Sequence, residues 1–198
     1  GRKVAMIAVG KAAPAMAAAA QEILGARLGE ALMIPKTTPQ THPAGMRVIP
    51  GGHPLPTEAS LAAGSAALTL AASLDEKDLI LCLISGGGSA LMSAPVEGIS
   101  LTDLQALTAS LLACGASITE INCLRRRLDR VKGGGLARAA APARVVSLIL
   151  SDVIGSPLEA IASGPTVPDP TSRADALAIL DKYGLTNSTP ALVLSALR

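Results

Sequence analysis

Ser85-Gly86-Gly87-Gly88-Ser89 ends an apolar run abruptly, and its residue types suit the binding of an anion. Glycines reach backbone conformations closed to other residues, so successive N–H groups can turn toward one point. The two serines add hydroxyl donors. When a helix starts beside such a loop, phosphate is the anion most often held there. A turn that merely lets a helix pack close to its strand is the plainer alternative, and the second serine tips the reading toward phosphate.

Other residues offer charge. Lys11 follows the apolar run Val4–Val9 and precedes a helix pattern. Its ammonium can reach a phosphate or the carboxylate of a small acid, or it is an ordinary surface lysine. Asp152 follows the run Val145–Leu150 and can hold a magnesium ion or take a proton; an N-cap or turn aspartate is the alternative. Arg125 and Lys132, seven residues apart, fall on or beside the apolar arc of Ile118, Ile121, Leu124, Leu128 and Val131 at the helical repeat of about 100° per residue. Cations on an inward face need an anionic partner. Because Gly133-Gly134-Gly135 follows at once, a ligand phosphate or carboxylate is favoured over a protein carboxylate, with a helix C-terminal charge a further reading of Lys132. Arg126, Arg127 and Arg130 point away from the arc and read as solvated. His53, in Gly52-His53-Pro54-Leu55-Pro56, can donate to a substrate, but a structural histidine in a rigid loop is the stronger reading. Ser163 and Thr166 belong to a proline-rich loop and can face a cleft, although turn chemistry alone explains that composition.

These residues need a scaffold that brings them together. Short apolar runs at Val4–Val9, 31–34, 47–49, 79–84 and 144–150 read as strands. Helical patterns cover about 14–28, 57–73, 101–113, 118–132, 135–141, 173–183 and 190–198. Strands alternating with helices predict one α/β domain over residues 1–198, with a mostly parallel, Rossmann-like sheet covered by helices. Ligands sit at the carboxyl ends of strands in such sheets. Gly10-Lys11, Ser85 to Ser89 and Ser151-Asp152 all lie at such ends, so one shared site is expected.

Composition narrows the function classes. Of the 198 residues 49% are hydrophobic, yet Phe and Trp are absent and Tyr183 is the single aromatic. Stacking platforms for single-stranded nucleic acid are thereby disfavoured. A net charge of +2 from 17 basic and 15 acidic residues gives no polyelectrolyte signal toward nucleic acid or membrane surfaces. Cys82, Cys114 and Cys123 are too few and scattered for a disulfide framework and read as buried small hydrophobes. With no leader or membrane-length apolar run in view, a cytoplasmic setting is the expectation. Both ends look cut, so a piece of a longer protein is expected.

The loop matches neither common nucleotide fingerprint. A Walker A spacing does not occur, and the third glycine of a dinucleotide motif is replaced by Leu91. Several segments, taken in order, instead resemble the glycerate 2-kinase family whose longer members end in a MOFRL domain. They are Val9-Gly10-Lys11-Ala12, Gly52-His53-Pro54, Ser85 to Leu91, Asn122 through Arg125 to Lys132-Gly133-Gly134, Ser151-Asp152-Val153-Ile154-Gly155, and Ser163 to Pro170. The resemblance implies transfer of the γ-phosphoryl of ATP to the 2-hydroxyl of D-glycerate, with Mg2+. Lys11 and Arg125 would hold substrate carboxylate or phosphoryl oxygens. Ser85, Gly86, Gly87, Gly88 and Ser89 would cradle phosphate, and Asp152 would serve the metal or the hydroxyl. The chain differs from that family's usual pattern at Thr57, at Arg127-Leu128-Asp129 and at Ser156. It also lacks the family's carboxy-terminal half, which would be its partner across the site. Hydroxypyruvate reduction and a non-catalytic phosphate-binding module are the competing expectations.

Overall fold

The protein is described here from a computed structural model that covers residues 4–151 and 155–198. Strand β1 (Val4–Val9) leads through Gly10 to helix α1 (Ala13–Leu24) and then β2 (Leu28–Ile34). After the two-residue β3 (Arg47–Val48) come α2 (Glu58–Ala72), β4 (Leu79–Ser85) and a single helical turn, α3 (Gly88–Leu91). Helices α4 (Leu101–Ala113), α5 (Ile118–Arg127) and α6 (Gly135–Ala140) precede β5 (Arg144–Leu150), and α7 (Arg173–Lys182) and α8 (Ala191–Leu197) close the chain.

The strands form one parallel sheet in the order β3-β2-β1-β4-β5. In β1 the side chains alternate between two cores. Ala5, Ile7 and Val9 pack with Ala63, Ala66 and Ala67 of α2, while Met6 and Ala8 pack with Ala13 and Ala17 of α1. Alanine-rich helix faces let the helices lie close to a sheet that carries no aromatic bulk. A third core, apart from the sheet, gathers Leu104, Leu107 and Leu111 of α4, Ile121 and Leu124 of α5, Leu180 of α7 and Val193 of α8.

The helix expected over 118–132 stops at Arg127, and Ile118, assigned to its buried arc, is 62% exposed. Beyond Leu128 the chain runs extended against residues 94–96: Val96 N–H donates to Leu128 O at 3.0 Å and Arg130 N–H to Ala94 O at 2.7 Å. That pairing overrides the helical periodicity. Strand β5 is also not the buried strand expected. It lies at the sheet edge, and Val146, Leu148 and Leu150 are 41%, 53% and 55% exposed. Leu148 pairs in register with Leu83, whose face is covered by α1, but among the described residues no element covers that face of β5. Cys82 and Cys123 are buried as expected, whereas Cys114 is exposed. No helix among the described residues is long and apolar enough to cross a membrane.

Candidate functional site

The parallel register brings the carboxyl ends of three strands level. Val9 lies opposite Ile34 on one side and Ile84 on the other. The loops that follow are stitched together: Gly10 N–H donates to Ile34 O at 3.2 Å, and Lys11 N–H to Gly86 O at 2.9 Å. Gly10 has φ +118, and a Cβ there would collide with Ser85. The loops after β1 and β4 therefore meet, as the shared-site expectation required. The loop after β5 enters residues 152–154, so Asp152 lies outside the described residues.

Both loop serines spend their hydroxyl protons on the protein. Ser85 is buried; its Oγ donates to Val9 O at 3.3 Å and accepts from Ala12 N–H at 3.0 Å. Ser163 Oγ donates to Asn122 Oδ1 at 3.1 Å, which leaves Ser89 Oγ to donate to Ser163 Oγ across 2.7 Å. Neither serine is the side-chain phosphate donor that the sequence suggested, because the fold uses both to pin the loop. The backbone remains. Among the described residues the N–H groups of Gly87, Gly88 and Ser89 donate to no protein acceptor, while the Gly87 carbonyl accepts from Ala90 and Leu91. Gly87 takes the left-handed conformation, φ +87, which turns successive amides outward. The helix that follows is one turn, so these amides rather than a long helix dipole supply the positive potential.

Two groups of cationic side chains border this loop. On one side, a Cβ built on Gly87 would stand 3.2 Å from His53 Cδ2 and 3.5 Å from Lys11 Cγ. Lys11 is exposed there and free to meet a ligand. His53 has its pKa lowered by burial first and then by Lys11 and Lys36, which favours the neutral ring. It was read as a structural histidine, yet it flanks the amides.

On the other side lies a narrow slot lined by Ser89, Ala90, Ser93, Arg125, Asp129 and Lys132 above the leucines of α4 and α5. Its free space of about 20 Å³ suits roughly one water, so a substrate would sit at its mouth. Here the sequence reading of Lys132 fails. Its side chain is 4% exposed and its ammonium pairs with Asp129 Oδ2 at 2.5 Å, with Met92 O at 3.3 Å and Ser93 Oγ at 3.4 Å as further acceptors. Its partner is a protein carboxylate, not a ligand. Burial lowers the Lys132 pKa and Asp129 works against that shift. Arg125 is the cation left over: burial lowers its pKa, Asp129 opposes the shift, and no protein acceptor among the described residues takes its guanidinium.

Asp129, Ser93 and Asn122 were missed as site-building residues. Asp129 accepts from Ser93 Oγ, Ala94 N–H, Val131 N–H and Lys132. Its spacing of three from Lys132 was the available signal, hidden by assigning both to one helix. Arg126, read as solvated, is 6% exposed, and its Nε pairs with Asp169 at 2.7 Å. Thr166 accepts from Ser147 Oγ at 2.8 Å, a structural contact. Among the described residues no cluster of three or more His, Cys, Asp or Glu could hold a metal.

Known proteins resemble the chain along nearly its whole length. A family described as a domain of unknown function, DUF4147, matches residues 1–198. D-glycerate 2-kinase of Thermotoga maritima is 45% identical over 187 residues, covering 94% of this chain and 45% of that protein. A putative hydroxypyruvate reductase of Agrobacterium vitis is 43% identical over 190 residues, covering 91% of this chain and 41% of that one. The crystal structure of glycerate kinase from Thermotoga maritima superposes with a TM-score of 0.94 at 43% identity, covering 100% of this chain and 47% of that one. The chain thus spans under half the length of these relatives.

Proposed function

The chain belongs to the DUF4147 family, and on that premise we propose that the protein transfers the γ-phosphoryl group of ATP to the 2-hydroxyl of D-glycerate, giving 2-phosphoglycerate and ADP. The observation that carries this reading is the set of unpartnered loop amides at Gly87, Gly88 and Ser89, flanked by Lys11 and His53 on one side and Arg125 on the other. Phosphoryl transfer asks mainly for in-line positioning and neutralisation of charge on the transferring oxygens. The amides receive phosphoryl oxygens. Lys11 and Arg125 hold the remaining phosphoryl oxygens or the glycerate carboxylate. As the hydroxyl oxygen bonds to the γ-phosphorus and the bond to ADP breaks, the hydroxyl proton must leave. His53, kept neutral by burial and neighbouring lysines, is placed to accept it.

Magnesium would travel with the phosphates of ATP. Asp129 has no capacity for it, since four donors already occupy its carboxylate. Asp152 is the residue we assign to the metal. The relatives run to more than twice this chain's length, and we assign the facing wall of the site to a carboxy-terminal domain of MOFRL type. Three free cysteines suit a reducing, cytoplasmic setting.

The test is incubation of the protein with magnesium-ATP and D-glycerate, with and without the segments that complete the relatives' length, followed by phosphorus NMR. We expect 2-phosphoglycerate, and kcat/KM lower by about 100-fold in Arg125→Ala. Absence of product from the complete, folded protein rejects the kinase and leaves the phosphate-binding module. The name of the Agrobacterium relative keeps a second reading open, and NADH oxidation with hydroxypyruvate would establish it. Leu91 in place of a fingerprint glycine argues against that outcome.

A further inference from the structure

A second cleft, of about 410 Å³, is bordered by none of residues 85–89. It is lined by Arg126, Arg127, Arg130, Arg138 and Arg173, with Asp129 the single carboxylate among its described lining residues. The sequence placed three of these arginines in solvent and gave them no task. Their charges are poorly balanced. Asp169 pairs with two of them, Arg126 at 2.7 Å and Arg127 at 3.2 Å; Arg126 also donates to Glu159 O at 3.2 Å and Thr171 Oγ1 at 3.5 Å, and Arg127 is further attracted by Asp175. Arg127 Nε is buried without a hydrogen-bond partner. Arg138 donates to the neutral carbonyl of Gly133 at 2.8 Å. Arg130 and Arg173 are exposed, and among the described residues no acceptor takes either guanidinium. Asp129 adds no counter-charge, because Lys132 already pairs with it.

Guanidinium groups gathered around one cleft repel each other, and an anion between them relieves that repulsion. Their planar forks match phosphate oxygens two at a time. The lining carries no aromatic ring on which a nucleobase could stack, so the occupant is small and recognised by charge. We propose that this cleft binds a compact, multiply charged phosphate-class anion, a diphosphate or small phosphate ester, at a site distinct from that of the glycine loop.

The probe is inorganic pyrophosphate, titrated calorimetrically into the purified protein with and without saturating ATP. With ATP filling the glycine-loop site, one pyrophosphate should bind the arginine cleft, more weakly as salt rises, and the Arg130→Gln/Arg173→Gln variant should lose about tenfold or more in affinity. Both substitutions are at exposed side chains, and circular dichroism is the check that the variant folds. Arg125→Gln, in the first site, should leave this affinity unchanged, and so should ATP. Absence of binding, unchanged affinity in the double variant, equal loss in Arg125→Gln, or displacement by ATP would each overturn the proposal.

Discussion

Lys132 carries its charge where water does not reach it, and the price is met by Asp129 with Ser93 and the Met92 carbonyl. Removing one member of a buried pair leaves the other uncompensated. Asp129→Ala should therefore lose about 3–5 kcal/mol of stability in urea unfolding, and Asp129→Ala/Lys132→Met should recover much of it. Equal losses in the two variants would show that the pair adds nothing beyond packing. His53 makes a second prediction. Burial first, then Lys11 and Lys36, disfavours its protonated form, so the ring should titrate below its ordinary value of 6.5. Lys36→Ala removes one repelling charge without touching the proposed machinery, and should raise the His53 pKa while burial keeps it below the ordinary value. Proton NMR of the ring C–H signals reads this directly, and a downward shift would contradict the assigned cause.

Among the elements, α5 matters most, because it carries Arg125 toward one cleft and Arg126 and Arg127 toward the other. Its far end is tied to α7. Glu120 caps the first turn of α5, and accepts from Lys182 at 2.6 Å and from the Tyr183 hydroxyl at 2.9 Å. Lys182, the Ser117 backbone and Tyr183 hold the Glu120 pKa down to about 2, against an ordinary 4.5. A depressed carboxylate pKa favours the folded state above the unfolded value, and that contribution fades as pH falls from about 4.5 toward 2. Lys182→Ala should move the Glu120 titration, followed by carbonyl NMR, back up toward 4.5. The same variant should narrow the stability loss between neutral pH and pH 3, since less of the depression remains to be lost.

For the whole molecule, the sheet is anchored at its centre and open at its β5 edge. Ile84 is 1% exposed at the site end of β4, whereas Leu148 is 53% exposed on the edge strand. Truncating a fully buried isoleucine removes its packing and leaves a cavity, about 2–5 kcal/mol. An exposed side chain has little to lose, and threonine retains β-branching for the strand. Ile84→Ala should thus unfold far earlier in a thermal melt than Leu148→Thr, which should stay within about 0.5 kcal/mol of the unaltered protein. Comparable losses would mean that the β5 face is covered in solution. The open edge also shows what strand composition alone conceals: the apolar run 144–150 reads like a central strand, but its position in the strand order is a property of the whole sheet.

The alternation of apolar runs with helical patterns was enough to determine the α/β class, the bounds of α4 and β5, and the meeting of the Lys11 and Ser85–Ser89 loops at one sheet edge. Those follow from local periodicity and from the rule that parallel strands end together. Partner choice does not follow from local pattern. Whether Lys132 met a ligand or Asp129, whether Arg126 lay in water or against Asp169, and whether Ser89 donated to phosphate or to Ser163 depended on residues 3, 43 and 74 positions away. The bridge between residues 94–96 and 128–130 broke a helix that periodicity had extended, and so put Asp129 and Lys132 in their own loop. Tertiary structure alone decided which charges the protein neutralises itself and which it leaves for a ligand, because burial and distance set that balance.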